Sequence, residues 1–164
     1  MKIATRILAL GAGLLLAGCG PEEPAPVVRD EAVVRREWLF GPAGLEKDIV
    51  WRESGLGLRV LAPGEGAQPR LTDRVRVHYV ARLKDGHVID DSHAKGHASD
   101  FVLSRLIPGW AEGLAALKPG GRAVLFIPPS IGYGNSGGSG LPPGAGLIFD
   151  VELIAVNPEP ARKL

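Results

Sequence analysis

The chain has 164 residues, of which 45% are hydrophobic and 23% are charged, and its formal net charge is +1. This near balance of charge, without a long basic run, excludes the electrostatic footprint of a nucleic-acid-binding protein, so we expect no nucleic-acid partner. The sequence contains no internal repeat, and its hydrophobic content is enough for one domain with a single core.

The first residues have the pattern of an export signal. Lys2 and Arg6 form a positive segment. An apolar run over residues 7–16 follows, and it is too short to cross a bilayer comfortably as a permanent helix. We therefore predict a signal peptide over residues 1–18.

The sequence LAGC at residues 16–19 resembles the lipobox of bacterial lipoproteins, in which the cysteine is lipidated. Cys19 is the only cysteine, and a lipid on its sulfur removes an otherwise free exported thiol. The resemblance implies a membrane anchor at Cys19, and Gly20 in place of aspartate implies the outer membrane, facing the periplasm. The alternative is an ordinary signal peptide, cleaved elsewhere, that leaves Cys19 free.

Residues 19–37 are predicted to be the lipidated cysteine and a tether rich in proline and glutamate. Three prolines within residues 21–26 alternate with acidic residues and alanine, which favours an extended, solvated chain. Residues 27–37 mix charges with paired valines and predict a short amphipathic helix. The apolar residues 38–42 begin the domain, residues 38–164, and dock either on it or on a partner.

An alternating strand over residues 74–83 is the clearest element of the domain. Its apolar face consists of Val75, Val77, Tyr79, Ala81 and Leu83. A phenol on a buried face needs a hydrogen-bond partner or a ligand, so Tyr79 is either a satisfied core residue or part of a site. The turn chemistry of Asp85-Gly86 then returns the chain as a strand over residues 88–90.

The remaining elements predict an α+β fold. Further candidate strands lie at residues 48–52, 56–61, 101–103, 123–127 and 147–156. A helix is predicted over residues 110–118, where Trp110, Leu114 and Leu117 share one face. The glycine-rich residues 130–146 predict a long loop. Together they indicate a sheet of about five to six strands that packs on one short helix.

Two kinds of chemistry find little support in the sequence. No serine lies in the strand-turn-helix context of a Gly-x-Ser-x-Gly nucleophile elbow, and the single cysteine belongs to the predicted anchor. His87, His93 and His97 lie close together in sequence, but their spacing matches neither a helical pair nor a zinc module. We expect solvated loop histidines, no bound metal and no cofactor.

Five ordered blocks carry a more specific signal: VHYVARLKDGHVIDDS, LIPGWAEGL, GYG, LPPG and LIFDVELI. Their order and spacing over about residues 56–156 resemble those of the FKBP family of peptidyl-prolyl cis-trans isomerases. The resemblance implies a twisted antiparallel sheet wrapped around one helix, with a ligand pocket between them. It also implies a rotamase that acts on proline-containing polypeptides, and it makes macrolides a second class of ligand.

The resemblance assigns roles to residues of that pocket. The positions it implies as catalytic are Tyr79, Asp90, Ile107, Trp110, Tyr133 and Phe149. The positions it implies as substrate-binding are Ile89, Phe101, Leu106 and Leu141. It implies that Trp110 is the pocket floor and that the Ile107 amide donates to the substrate carbonyl. The hydroxyls of Tyr79 and Tyr133 are further donors, and Asp90 is expected to orient Tyr79 or a neighbouring arginine.

Three features depart from the family pattern. Ile89 stands where phenylalanine is frequent, Ser99 stands where many members have an aromatic residue, and the loop from Tyr133 to Leu141 is short and rich in glycine. Two hypotheses therefore stay open. One is an isomerase that assists the folding of exported proteins; the other is a chaperone or scaffold module that binds proline segments with little turnover.

Overall fold

The computed structural model of the protein describes residues 30–137 and 140–158. The predicted signal peptide, the predicted lipidation site Cys19 and the tether up to residue 29 lie outside the described residues. The two α-helices of the described ranges are α1 (Glu31–Phe40) and α2 (Pro108–Ala115). The strands are β1 (Val50–Trp51), β2 (Gly57–Ala62), β3 (Arg74–Arg82), β4 (Val88–Asp91), β5 (Ser99–Val102), β6 (Gly121–Ile127) and β7 (Leu147–Val156). Within these ranges, neither helix has the length and hydrophobicity that a membrane span requires.

All the strands of the described ranges join one antiparallel sheet in the order β1-β2-β6-β7-β3-β4, and β5 also pairs with β3. Strand β7 lies along one edge of β3, while β4 and β5 share the other edge, one at each end. The sheet has seven strands, against the predicted five to six, and each coincides with one of the candidate strands, including the two-residue β1 within residues 48–52. The α+β prediction is confirmed.

Apolar side chains form two clusters on opposite faces of the sheet. Along β6, Leu125 faces the cluster that contains Leu114 of α2, while Val124 and Phe126 face the cluster that contains Phe40 of α1. This division follows from the alternation of side chains along a strand. Phe40 is 1% exposed and meets Phe126 edge to face, with ring centroids 5.5 Å apart. The sheet is therefore covered by a helix on each face.

Helix α1 lies further along the chain than the amphipathic segment predicted at residues 27–37. The Asp30 carboxylate accepts a backbone hydrogen bond of 2.8 Å at its start, and Gly41, with a φ of +62°, ends it. Leu39 and Phe40 at its last turn are buried against the sheet. The apolar segment that follows the tether thus docks on the domain.

Helix α2 begins at Pro108 and not at Trp110, because proline is well accommodated in the first turn, where no backbone N–H is needed. It ends at Ala115, short of the predicted end at residue 118. Leu117 is fully buried although it lies beyond the helix. The spacing of Leu117 from Leu114 and Trp110 correctly predicted that Leu117 is buried, but it did not predict where the helix ends.

Strands β5 and β6 also begin earlier than predicted. Strand β5 covers Ser99–Val102, because its polar first residues pair with β3, and Leu103 starts a 3-10 turn (Leu103–Arg105). Strand β6 begins at Gly121, which pairs with Leu153 of β7. Backbone pairing with a neighbour, and not side-chain polarity, sets both boundaries.

Candidate active site

A cavity of about 540 Å³ opens between the start of α2 and the sheet, within the size range of ligand pockets. The predicted catalytic and substrate-binding residues all line it: Tyr79, Ile89, Asp90, Phe101, Leu106, Ile107, Trp110, Tyr133, Leu141 and Phe149. Its lining also includes three residues that the sequence analysis did not assign to the pocket, Ala81, Arg105 and Leu147. The fold therefore brings residues from four strands, one helix start and the long loop to one place.

The floor of the cavity is an aromatic cluster centred on Trp110, which is 4% exposed. The Trp110 ring lies 5.1 Å from Tyr79, 5.2 Å from Phe149 and 5.5 Å from Phe101, centroid to centroid, each at a steep angle. Such edge-to-face contacts are favourable for aromatic rings. Within the described part of the chain, the buried indole N–H of Trp110 has no hydrogen-bond partner. The floor is thus formed by aromatic rings, of which Tyr79, Trp110 and Phe149 are buried.

A polar chain of three residues borders this floor. Antiparallel pairing places Ala81 opposite Asp90, so Asp90 can reach Tyr79 from the neighbouring strand. The Tyr79 hydroxyl donates to Asp90 Oδ2 at 2.7 Å, and Lys95 Nζ lies 2.5 Å from Asp90 Oδ1. The expected orienting contact with Tyr79 is present. The cation beside Asp90 is Lys95 from the following loop and not an arginine.

The electrostatics of this chain set the protonation states at the site. Burial raises the pKa of the Tyr79 hydroxyl, and the Asp90 carboxylate raises it further. The hydrogen bond from Lys95 lowers the pKa of Asp90, a change that burial opposes and the Tyr79 hydroxyl assists. In turn, Asp90 raises the pKa of Lys95. At neutral pH Tyr79 is a neutral donor and Asp90 an ionised acceptor.

Ser92 holds the backbone of Tyr79 in place, although the sequence analysis did not identify it. Its side chain is fully buried. The Tyr79 amide donates to Ser92 Oγ at 2.8 Å, and the Ser92 amide donates to the Tyr79 carbonyl at 3.0 Å. His78 Nδ1 lies 2.9 Å from the same Oγ. A serine directly after a short strand carries no period that would have indicated this role.

Ile107 occupies the N-cap position of α2. Its carbonyl accepts hydrogen bonds from the amides of Trp110 and Ala111. Its own amide donates no hydrogen bond to any residue within 30–137 or 140–158. Because Ile107 lines the cavity, this amide is a hydrogen-bond donor at the edge of the cavity. Tyr133, 51% exposed, lies in the glycine-rich loop at the cavity mouth.

The walls contain residues of intermediate burial. The predicted substrate-binding residues Ile89, Phe101, Leu106 and Leu141 are all half-buried and pack against the main core cluster. The exposed Arg105 adds a positive charge at the rim, directly before Leu106 in sequence. A single basic residue creates no helical or strand periodicity, so the sequence pattern did not indicate that Arg105 lies at the pocket.

The histidines do not gather in one group. His93 stacks on His78 of β3 with ring centroids 4.1 Å apart, on a strand face other than the one that carries Tyr79. The short 3.3 Å contact of His97 Nδ1 is with the neighbouring carbonyl of Ala98. Among the residues that the structure describes, no group of three or more histidine, cysteine or acidic residues is arranged to hold a metal ion.

An antiparallel sheet packed on a short helix, with an aromatic cavity at the helix start, defines a ligand-binding α+β domain. The family described as "FKBP-type peptidyl-prolyl cis-trans isomerase" matches residues 65–154. The chain therefore belongs to the FKBP-type peptidyl-prolyl cis-trans isomerase family. The sequence-level resemblance is confirmed.

Individual relatives agree with this assignment. The chain is 43% identical to the isomerase FkpA of Escherichia coli K12 over 115 residues, which is 70% of this chain and 43% of that protein. It is 42% identical to a probable FKBP-type isomerase of Haemophilus influenzae over 114 residues, 69% of this chain and 47% of that protein. The chain thus spans about half the length of these relatives.

Solved structures show the same fold. The crystal structure of Escherichia coli FkpA matches with a TM-score of 0.71 and 40% identity, over 79% of this chain and 59% of that chain. An isomerase structure from Pseudomonas syringae matches with a TM-score of 0.67 and 30% identity, over 77% of this chain and 94% of that chain.

Proposed function

We propose that this protein catalyses cis-trans isomerisation of X-Pro peptide bonds. The observation that carries the proposal is the buried aromatic floor around Trp110, with the Ile107 amide, which has no partner among the described residues, at its edge. Rotation about an X-Pro bond costs about 18–20 kcal/mol because the twisted amide loses its resonance. Water solvates the planar, charge-separated amide better than the twisted one. A pocket that excludes water removes this preference and lowers the barrier.

In this mechanism no bond to the protein forms or breaks. The proline ring lies against Trp110, and the preceding carbonyl accepts a hydrogen bond from the Ile107 amide. The Tyr79 hydroxyl, held by Asp90, and the Tyr133 hydroxyl are the remaining polar contacts. Each factor of ten in rate needs about 1.4 kcal/mol, so desolvation and two or three hydrogen bonds suffice for a modest acceleration.

A rate assay tests the proposal. Residues 19–164 carrying Cys19→Ser are assayed on a tetrapeptide with a central Leu-Pro bond, and we expect a rate above the uncatalysed background. Trp110→Ala should lose most of this rate, while Leu71→Ala, an exposed position away from the pocket lining, should keep it. If the parent protein gave no rate above the uncatalysed background, the proposal of an isomerase would be refuted.

The second candidate is a module that binds proline segments with little turnover. It is favoured by Ile89, which makes the pocket wall less aromatic than the family pattern, and by the short glycine-rich loop from Tyr133 to Leu141. Peptide titration beside the rate assay separates the two candidates, since saturable binding without acceleration supports the module. Macrolides are proposed as a second class of ligand for the same pocket, because the pocket combines apolar walls with few polar groups.

We further propose that the enzyme acts on exported polypeptides in the bacterial cell envelope. The support is the export pattern of residues 1–18 and the lipobox-like LAGC that ends at Cys19. Acyl chains contribute about 0.8 kcal/mol per buried methylene, so a multiply acylated Cys19 would anchor the protein stably. Gly20 supports the outer membrane, with the domain facing the periplasm. Uncatalysed isomerisation takes tens to hundreds of seconds, slow enough to limit folding there.

A further inference from the structure

A second cavity of about 200 Å³ lies beside the aromatic pocket, between the end of α1, the β3–β4 turn and the loop before β7. We name it the α1 groove. Its apolar wall is formed by Trp38, Leu39, Leu83, Pro142 and Pro143. The Trp38 side chain is 63% exposed, although tryptophan is the largest apolar residue and is usually well covered.

The wall of the α1 groove is held in place by polar and packing contacts. Lys84 Nζ donates to the Trp38 carbonyl at 2.8 Å, and the same ammonium lies 5.3 Å from the centre of the Trp38 ring. On the other side, Gly146 lies so close to α1 that a Cβ there would come within 2.7 Å of the Leu39 carbonyl oxygen. The end of α1 therefore contacts both the β3–β4 turn and the loop before β7. These contacts fix the backbone that carries the exposed Trp38 indole.

The residues that line the α1 groove are neighbours in the chain of residues that line the aromatic pocket. Leu141 and Leu147 line the pocket, and the loop residues between them, 142–146, line the groove. Ala81 in β3 lines the pocket, and Leu83, directly after β3, lines the groove and packs against the core cluster that contains Ala81. Positions two residues apart in extended chain are separated by about 7 Å. An extended polypeptide covers that distance in about two residues.

We propose that the α1 groove is a second subsite for the polypeptide whose proline occupies the aromatic pocket, and that it takes an apolar or aromatic side chain about two to four residues from that proline. The inference rests on the proposed function, since it assumes a proline in the pocket. It adds α1, which lies outside the matched family segment of residues 65–154, to the substrate-binding surface. Trp38 supplies the contact area, and the neighbouring prolines supply a rigid apolar wall.

Two peptides of about ten residues with the same Leu-Pro core test the subsite. One carries phenylalanine three residues from the proline on each side, and the other carries serine at these positions. Dissociation constants are measured by fluorescence anisotropy with residues 19–164 carrying Cys19→Ser. We expect about tenfold tighter binding of the phenylalanine peptide, equivalent to about 1.4 kcal/mol.

Three variants locate the effect. Trp38→Ala should bring the ratio of the two dissociation constants close to one, and Trp38→Tyr should keep most of the preference. Val34→Ala is the matched control, because Val34 is exposed on the same helix and does not line the α1 groove. Urea midpoints verify that all variants are folded.

An equal preference in the parent and Trp38→Ala would overturn the subsite, and so would no preference in the parent. If a preference then emerged after residues 20–29 were removed, the groove would belong to the tether of the chain itself. The binding measurement does not depend on catalysis. If the parent did not isomerise the tetrapeptide, the proposed function would be refuted, but the binding test of the subsite would still be valid.

Discussion

Asp90 is the residue through which the polar groups of the pocket are connected. One carboxylate oxygen accepts from the Tyr79 hydroxyl, and the other pairs with Lys95. The carboxylate is partly exposed, at 35%, so its contacts contribute more to orienting Tyr79 than to folding. Ser92 supports the same tyrosine from its backbone. Tyr79 is therefore held both at its backbone, by Ser92, and at its hydroxyl, by Asp90.

Replacement of Asp90 should affect activity more than stability. In Asp90→Val one charge-assisted hydrogen bond is lost, about 1.5–3 kcal/mol, which corresponds to roughly a ten- to hundredfold lower kcat/KM. The urea midpoint should fall less, because the carboxylate is partly hydrated. An unfolded Asp90→Val protein would instead place Asp90 in the structural core.

Lys95 should determine the acid limit of activity. The pKa of Asp90 lies below its ordinary value of 3.8, mainly because of Lys95. The stabilisation from ionised Asp90 is therefore present above that ordinary value and is lost as pH falls through the lowered pKa of the folded state. In Lys95→Met the pKa of Asp90 should rise, and the acid limb of kcat/KM should move to higher pH.

The acid limb is measured by NMR exchange on a proline peptide, since this method needs no coupling protease. Lys95→Arg keeps the cation and should retain the parent profile. Superimposable acid limbs in the parent and Lys95→Met would show that Lys95 does not control Asp90.

Strand β7 carries a residue that belongs to the core and to the pocket at once. Phe149 is 7% exposed, lines the pocket and lies between Ala81 of β3 and Leu125 of β6 in the sheet register. Because strands flank Phe149 on both sides, the surrounding residues can move little into the space left when its side chain is removed. Its position therefore serves both the core and the pocket.

Phe149→Ala should lower the free energy of unfolding by about 3–5 kcal/mol, because it leaves a cavity in the packed core. Ile154→Ala is the matched control on the same strand; it is 38% exposed and should change stability by less than about 1 kcal/mol. Urea denaturation followed by circular dichroism measures both. An unchanged midpoint in Phe149→Ala would limit Phe149 to the pocket.

Helix α1 should stabilise the sheet from the face opposite to α2. Phe40 is almost fully buried against Phe126 and Trp51. We expect Phe40→Ala to cost about 3–5 kcal/mol, and Val34→Ala, exposed on the same helix, to cost less than about 0.5 kcal/mol. Equal urea midpoints for the two variants would mean that α1 is not an integral part of the domain.

At the scale of the whole molecule, the proposed arrangement is an anchor, a tether and an isomerase domain. The tether sequence favours an extended chain of about 3.1 Å per residue, which allows the pocket to meet polypeptides some tens of ångströms from the membrane. The near-neutral charge of the chain, +1, gives no strong electrostatic attraction to an anionic membrane. Membrane attachment should therefore depend on the lipid.

Cys19→Ser should move the protein from the membrane fraction to the soluble fraction of the cell envelope, because the lipid can no longer be attached. Gly20→Asp keeps the cysteine and should shift the protein from the outer to the inner membrane. Fractionation and immunoblotting measure both. Persistent membrane association of Cys19→Ser would refute the anchor, and an outer-membrane Gly20→Asp protein would refute the sorting argument.

The sequence by itself determined the elements whose side chains follow a period, and the apolar residues of the pocket. The alternation from Val75 to Ala81 predicted the buried face of β3, because strand geometry converts a period of two directly into burial. The ordered motifs, through their family resemblance, identified the pocket residues around Trp110.

Only the tertiary structure decided which polar groups meet and where the helices end. Lys95 reaches Asp90, and Ser92 reaches Tyr79, from a loop whose path depends on the pairing of β4 and β5 with β3. The exposure of Trp38 beside the buried Phe40 likewise depends on how α1 docks. These contacts join residues through turns and non-adjacent strands, and no local period records such distances.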